Sequence, residues 1–487
     1  MVTEVASVHV LEDAVAPNIE RMLWARSVAI VGASSDTQAL RGRILEIVKG
    51  HPYAGAIYPI SRSQAEVQGL KAFPSVAALP QPPDLAVLII PAKFVPDELE
   101  RCGQAGIRAA VILSSGFAEE GSREGARLQD EVRAIAARHR MAVSGPNGEG
   151  FANTAAALCP TFSPVVEPGR PLTRPDARGA VAVVSQSGGL AFAFFDHGEP
   201  KGLPFRYIVT TGNEACLTAF DFVDYMLDEG KTDVFLLLIE DIKNLATFER
   251  AAAKALRAGK PLIVSKLGQS EAGTRAVAAH TGAVAGSHAA YREKFEQYGI
   301  IESRDLDEMI DLAGGFLAFG SRLPAGKRVG ICTSSGGGGA WIADACAAAG
   351  LEVPELDAAT RATIDVHLPS YGTSQNPVDV TAQAVHQMGY AEFARLLAAS
   401  PAVDGVIVVI TGRYPRLLVG DRVPLAKLAR ETQKPILMWS YTKPAEACIE
   451  LMREAGYPLL TDIHACARTL RAMADYRAAR DRFLRAG

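Results

Sequence analysis

Short apolar runs alternate with amphipathic stretches along most of the chain. Ser27–Val31, Ala56–Ile60, Leu85–Ile90, Ala109–Leu113 and Ala142–Ser144 are brief and rich in β-branched residues, as strands are. Between them, Leu40–Lys49 and Glu120–Arg140 suit helices, the latter with apolar residues at helical spacing among its charges. The pattern restarts after Gly179. Val181–Ser185, Phe205–Val209, Val234–Ile239 and Leu262–Ser265 read as strands, with helices at Phe220–Asp228, Ala246–Ala258 and His288–Tyr298. A third set follows, with strands Val329–Thr333, Gly405–Ile410 and Pro435–Trp439. Strands that alternate with helices predict an α/β protein of doubly wound parallel sheets. Residues up to about 20 are mixed and predict a loose arm or a short helix. The prolines at 160, 164, 168, 171 and 175 mark a linker or surface crossover.

Length supports three units, because 487 residues exceed one core at roughly 100–200 residues per domain. The expected domains are 20–155, 176–320 and 326–480. Units two and three open alike. Val181-Ala182-Val183-Val184-Ser185-Gln186-Ser187-Gly188-Gly189 matches Val329-Gly330-Ile331-Cys332-Thr333-Ser334-Ser335-Gly336-Gly337 at an offset of 148. Either two domains of one type present equivalent helix starts, or two ordinary strand-to-helix turns happen to look alike.

Composition narrows the function. A formal charge of -4 without a Lys/Arg block argues against a nucleic acid or membrane-surface partner. The apolar runs are six to eight residues long, whereas a membrane span needs about 20. The start of the chain lacks a basic segment followed by an apolar stretch and a cleavage site. Seven cysteines, an odd number with no C-x-x-C pair, argue for a reducing compartment and against a zinc site. Together these features predict a cytoplasmic protein without a protein-bound metal.

Four features carry chemistry. The turn Gly32-Ala33-Ser34-Ser35-Asp36 leads through Arg41 and Gly42 into a helix. Such a turn serves either plain strand–helix packing or the approach of backbone N–H groups to a phosphate. The Ser-Gly-Gly turns at 187–189 and 335–337 expose N–H donors at two helix starts; one phosphoryl group held from both sides is one use, tight packing the other. His280 lies in the small-residue segment Ala279–Ser287, expected to be a loop. A neutral imidazole is a competent nucleophile near pH 7 when a carboxylate holds its other N–H. Glu240 ends the apolar strand Val234–Ile239, where ligands of an open parallel sheet collect, and is the expected carboxylate; its neighbour Asp241 is expected to be the solvated one of the pair.

G-x-G-x-x-G, the P-loop, H-E-x-x-H and G-x-S-x-G are all missing, so a nicotinamide oxidoreductase finds support only in the first turn and fails. His288 is expected to be a helix-surface residue.

The ordered set Val31-Gly32-Ala33-Ser34, Tyr58-Pro59-Ile60, Gly145-Pro146-Asn147, Ser185-Gln186-Ser187-Gly188-Gly189, Gly212-Asn213-Glu214-Ala215, His280-Thr281-Gly282-Ala283 and Asn376-Pro377-Val378-Asp379 resembles the succinyl-CoA synthetase superfamily. More closely, it resembles the α subunit of NDP-forming acyl-CoA synthetases such as the ADP-forming acetyl-CoA synthetases, over roughly residues 20–475. The resemblance implies a Rossmann-like CoA-binding domain followed by two flavodoxin-like ligase domains. It implies that Gly32, Ala33, Ser34, Arg41, Gly42 and Arg62 line the CoA phosphates. Pro91, Ser114 and Ser115 would flank the nucleotide end and pantetheine. His280 would carry a phosphate, with Glu240 as its partner. Ser187, Gly188 and Gly189, with Ser335, Gly336 and Gly337, would cradle the phosphohistidine, and Pro146, Asn147 and Gly148 would form the substrate loop. The implied substrates are coenzyme A and a small carboxylic acid. ATP or ADP and Mg2+ would bind through an ATP-grasp partner chain in an α2β2 assembly, because the three units leave no room for the roughly 200 residues of such a domain. One departure stands out. The family loop usually reads Gly-Pro-Asn-Cys, and here Gly148 and Glu149 follow Asn147, so a larger or functionalised acid fits the resemblance as well as acetate does. A CoA-binding regulator of the same fold without turnover is the competing reading.

Overall fold

The computed structural model describes residues 18–173, 179–281 and 288–486; the side chains of 278–281 and 288–290 lie outside that description. The chain divides into two compact units. One holds residues up to 199 with 204–255 and 264–294, and the other holds 200–203, 256–263 and 295–487.

The first sheet is built from β1 (Ser27–Val31), β2 (Ala56–Ile60), β3 (Leu85–Leu88), β4 (Ala109–Ile112) and β5 (Ala142–Ser144), in the order β2-β1-β3-β4-β5. Every pairing in it is parallel. Its helices are α1 (Leu40–Gly50), α2 (Val95–Gln104) and α3 (Arg123–His139). In α3 the apolar residues Leu128, Val132 and Ile135 share one face, and they pack with Ala110, Ile112 and Val143 in a dry core. The Ser122 hydroxyl accepts from the Gly125 amide, and this cap starts α3 at Arg123 rather than at the expected Glu120.

The second sheet takes β6 (Phe151–Asn153), β7 (Val181–Ser185), β8 (Phe205–Thr210), β9 (Val234–Ile239), β10 (Leu262–Lys266) and β11 (Ile301–Glu302), in the order β11-β10-β9-β7-β8-β6. All six residues of β9 are buried, which is why it reads as an unbroken apolar run. β6 joins β8 antiparallel, so this sheet draws its edge strand from residues that precede the proline-bearing stretch. Helices α4 (Gly188–Gly198), α5 (Ala219–Glu229), α6 (Leu245–Ala258), α7 (Glu271–Thr281), α8 (His288–Gln297) and α9 (Leu306–Phe319) follow.

The third sheet, in the second compact unit, contains β12 (Val329–Thr333), β13 (Val378–Asp379), β14 (Gly405–Ile410), β15 (Ile436–Ser440) and β16 (Leu459–Leu460), in the order β13-β12-β14-β15-β16. Its helices include α10 (Gly336–Ala348), α11 (Thr381–Ala399) and α12 (Ile463–Ala486).

Apart from the antiparallel β6, all three sheets share one winding, with the second strand outside the first and the third on its other side. In each, the strand order reverses between the first and third strands. Ligands of open α/β sheets bind beyond the strand ends at that point. The reversal lies between β1 and β3, between β7 and β9, and between β12 and β14. The offset of 148 also holds in three dimensions: β7 and β12, and the starts of α4 and α10, keep it residue for residue.

Candidate functional site

At the first reversal, the backbone leaves β1 through Gly32 at φ +93°. A Cβ there would stand 2.5 Å from the Ile89 carbonyl oxygen, so only glycine lets the turn pass the end of β3. Gly42 is equally constrained, since its Cβ would overlap the Asp36 carbonyl. Gln68 ties the turn together by donating to the carbonyls of Ser34 (3.0 Å) and Gly42 (2.8 Å). Gly32, Ala33, Ser34, Arg41 and Arg62 line a cavity of about 320 Å³. Arg62 is exposed and lies 3.4 Å from the buried Glu98, which also pairs with Arg101. Gly42 shapes the turn behind this cavity and does not line it.

A second cavity, of about 610 Å³, adjoins the first at Arg41, Ile90 and Pro91, which line both. Its wall includes Ser114 and Ser115 beyond β4, Asn147–Glu149 beyond β5, Ser187–Gly189 at the start of α4, and Glu240 beyond β9. Two loops clamp to each other across it. The Asn213 amide donates to the Pro146 carbonyl (2.9 Å) and the Ala215 amide to the Gly145 carbonyl (3.0 Å). A side chain at Gly212 would stand 2.2 Å from the Pro146 carbonyl oxygen. Ser115 donates to Asn147 Oδ1 (2.8 Å), and Asn147 reaches Asn213 (3.3 Å), which continues to Gln129 (3.0 Å) and Glu119. Ser114 acts on the sheet instead, where its hydroxyl donates to the Ile90 carbonyl at 2.6 Å and joins the ends of β3 and β4.

Gln186 holds Glu240 in place through the backbone. Its Oε1 accepts from the amides of Glu240 (2.5 Å) and Asp241 (3.0 Å), while its Nε2 donates to the Asp241 carbonyl (2.7 Å). Lys266 donates to the Glu240 carbonyl at 2.6 Å. Burial pulls the Lys266 ammonium below its ordinary pKa, against the attraction of Asp241 and Glu240. Glu240 itself is buried. Asp241 departs from the expectation of a solvated neighbour: it is half-buried and accepts from the Tyr291 hydroxyl of α8 at 2.7 Å.

His280 also departs from expectation. Its backbone lies in the last turn of α7, not in a loop, because Ala276, Ala278 and Ala279 favour helix continuation up to Thr281. Its side chain lies outside the described residues, as do Gly282–Ser287 and the side chain of His288.

Ser335, Gly336 and Gly337 open α10 in the other compact unit. There Thr333 Oγ1 accepts from the Ser335 amide (2.9 Å) and donates to the Ser335 carbonyl (2.7 Å). Ser185 does the same for Ser187, at 3.0 and 2.7 Å. That unit also holds a cleft of about 800 Å³ beside α12. No site residue expected from the sequence lines it, and several of its basic residues are already paired: Lys327 and Arg471 with Asp475, and Arg304 and Arg468 with Glu308.

Two buried carboxyls here had no role assigned from the sequence. Glu214, at φ 50°, accepts from Thr211 Oγ1 (2.9 Å) and the Ala219 amide (2.8 Å), yet burial pushes its pKa up to about 7. Glu149 lines the 610 Å³ cavity, and burial raises its pKa as well, partly offset by the Ser163 hydroxyl. The one signal for either was their place inside loops that already looked functional.

Among the described residues no group of three His, Cys, Asp or Glu could hold a metal ion, and no helix is long and apolar enough to cross a membrane. All seven cysteines are free thiols, and burial pushes those of Cys102 and Cys159 up to about 12.

Residues 26–154 match the family described as a CoA binding domain, 178–316 the succinyl-CoA ligase like flavodoxin domain, and 329–449 the ligase-CoA domain. The chain is 36% identical over 438 residues to the acetate–CoA ligase [ADP-forming] II subunit alpha of Pyrococcus furiosus, covering 89% of this chain and 92% of that one. It is 33% identical over 393 residues to the acetate–CoA ligase [ADP-forming] I of Archaeoglobus fulgidus, covering 81% of this chain and 55% of that longer protein. Among solved structures, a dinucleotide-forming acetyl-coenzyme A synthetase 1 from Ca. Korarchaeum cryptofilum, in complex with phosphate and ADP, superposes with a TM-score of 0.85 at 28% identity. That match covers 96% of this chain and 98% of the other. The chain belongs to the NDP-forming acyl-CoA synthetases of the succinyl-CoA ligase superfamily and is α-subunit-like.

Proposed function

We propose that the chain is the α-type subunit of an acyl-CoA synthetase that interconverts acyl-CoA, phosphate and NDP with a carboxylic acid, CoA and NTP. The observation that carries the reading is the pair of adjoining cavities. One has the glycine turn and Arg62, the other has the α4 start and Glu240, and Arg41 and Pro91 belong to both. CoA phosphates would lie in the first, against Gly32–Ser34, Arg41 and Arg62. Pantetheine would pass Pro91 and bring the thioester to Asn147, Gly148 and the α4 start.

A phosphate oxygen then attacks the thioester carbonyl carbon. The C–O bond forms, the C–S bond breaks, and CoA leaves as a thiol with the proton that phosphate gives up. A ring nitrogen of His280 next attacks phosphorus, and the carboxylate departs as the P–N bond forms. Glu240 would hold the second ring N–H through this step. The N–H groups at Ser187–Gly189 and at Ser335–Gly337 would stabilise the phosphoryl charge, since such chemistry is mainly positioning and electrostatics. The phosphoryl group would finally pass to an NDP bound with Mg2+ on an ATP-grasp β subunit, in an α2β2 assembly; the name "subunit alpha" of the Pyrococcus relative supports a partner chain.

Phosphorylation tests this. The purified chain is incubated with labelled phosphate and a panel of acyl-CoAs, and with labelled ATP plus the partner chain. The expected result is an acid-labile, base-stable label on the protein that His280→Ala abolishes. CoA binding without label under either condition would instead make the chain a CoA-binding regulator.

A further inference from the structure

Glu149 is out of place in a cavity that receives anions. Its backbone is fixed, the amide donating to Thr210 Oγ1 at 2.8 Å. Its side chain turns toward the start of α4. A Cβ on Gly188 would stand 3.4 Å from Glu149 Oε2, and one on Gly189 3.7 Å. The residue is 8% exposed and lines the 610 Å³ cavity. Burial disfavours its charge, and among the described residues the buried Ser163 is the neighbour that favours it. A carboxylate accepts about four hydrogen bonds, so it has capacity for a donor that enters the cavity it lines. Gly148, next to it, puts no side chain between the carboxyl and the cavity.

We propose that Glu149 selects the acyl group, and that the acid carried by this enzyme bears a hydrogen-bond donor, a hydroxyl or an ammonium, which the Glu149 carboxyl accepts. The proposal rests on the acyl-CoA synthetase reading above. Its physical basis is asymmetry. A donor on the acyl chain replaces the water that the carboxyl loses when the ligand enters. An alkyl chain of equal size completes the burial and offers the carboxyl no donor. Sites built to hydrogen-bond a substrate OH or NH reject analogues that lack it far more strongly than an apolar pocket measures a methylene.

The test is calorimetric binding of unacylated CoA and of three isosteric thioesters, butyryl-CoA, 3-hydroxypropionyl-CoA and β-alanyl-CoA, together with their homologues one methylene longer. The full chain is compared with Glu149→Gln and Glu149→Leu. A donor-bearing thioester should bind at least about a hundredfold more tightly than its alkyl isostere. Glu149→Leu should reverse that order. Glu149→Gln should keep a hydroxyl preference and lose an ammonium preference, which separates hydroxy acids from amino acids. Alkyl thioesters that bind the native chain as tightly as the others, or a donor preference that survives Glu149→Leu, would overturn the proposal. Unacylated CoA is the control. Equal CoA binding by native and substituted chains certifies the fold, and a native chain that binds no CoA defeats the synthetase reading itself. If Glu149→Leu alone fails to bind CoA, the native ranking and Glu149→Gln decide.

Discussion

The starts of α4 and α10 are the same turn made twice and finished differently. Ser185 and Thr333 organise the backbone identically, and the glycines that follow occupy equivalent places. The side chains then part ways. At α10, Ser335 Oγ accepts from the Gly338 amide at 3.4 Å, and Asp379 stands beside Gly336, its Oδ2 3.1 Å from where a Cβ would be. At α4, Ser187 makes no such cap. The neighbouring strands differ too. β9 runs beside β7 with Leu238 opposite Ser185, and β14 beside β12 with Val409 opposite Thr333. Two residues on, the first pair reaches Glu240 and the second Thr411, whose hydroxyl meets that of Thr442 at 3.2 Å. Beyond the neighbouring strand, one turn thus has an uncapped helix start and the buried carboxylate of Glu240, the other a capped start, the hydroxyl of Thr411 and the half-buried Asp379. A duplicated backbone supplies two equivalent helix starts, and in the proposed reaction only the one beside Glu240 carries acid–base chemistry.

The largest effect should come from that acid. Glu240→Gln removes the charge and keeps the shape, and should slow labelling of the chain by phosphate and acyl-CoA by about 10²–10⁴, the weight of a positioned acid–base partner. Thr411→Val, the matching change in the other unit, should stay within about threefold. Equal losses in the two variants would mean that the turns share the chemistry, and no loss in Glu240→Gln would remove Glu240 from it.

The second effect concerns stability, and it too belongs to the unit that carries the acid. Glu214 has a pKa of about 7 in the fold against an ordinary 4.5, because burial disfavours its charge. Between those values the folded state binds more protons than the unfolded one, so stability falls as pH rises from about 4.5 to about 7. The change should be on the order of 3–4 kcal/mol, at about 1.4 kcal/mol per unit over about 2.5 units. Glu214→Gln keeps an acceptor for Thr211 and Ala219 and has no proton to lose. Its denaturation midpoint should therefore vary less than that of the native chain between pH 5 and pH 8. Parallel profiles would show that the hydrogen bonds and the attraction of the Lys243 ammonium, which oppose the effect of burial, keep Glu214 ionised throughout.

Glu214 also marks where the sequence stops being legible. Strands such as Val181–Ser185 and Val234–Ile239 could be read because burial on both faces leaves an apolar run. The repeated turn was visible because glycine is required where backbones pass closely. Glu149 and Glu214 were not visible as buried groups, because burial of a carboxyl depends on which loops clamp together, here Gly145–Gly148 with Gly212–Ala215, and no local pattern encodes that. β6 escaped for a similar reason: three residues, Phe151–Asn153, gain a partner only in the second sheet. The helix through His280 was missed because its small residues satisfy a loop pattern and a helix propensity equally well.

The smallest effect discriminates the two turns by their caps. Ser335→Ala removes an acceptor from a helix start and should lower stability by about 1 kcal/mol, the usual cost of an N-cap. The 3.4 Å length of that bond places the effect at the lower end of the range. Ser187→Ala removes a hydroxyl that caps nothing and should change stability by no more than a few tenths of a kcal/mol. The same pair should invert when phosphate binding is measured. Ser187 lines the cavity and among the described residues caps no amide of its helix, so its hydroxyl can meet an anion, whereas Ser335 is committed to its own helix. Thermal midpoints and phosphate titrations of the two variants suffice. A Ser187→Ala chain as destabilised as Ser335→Ala would mean that both helix starts are closed by their serines, and that the openness of α4 is not what fits it for phosphate.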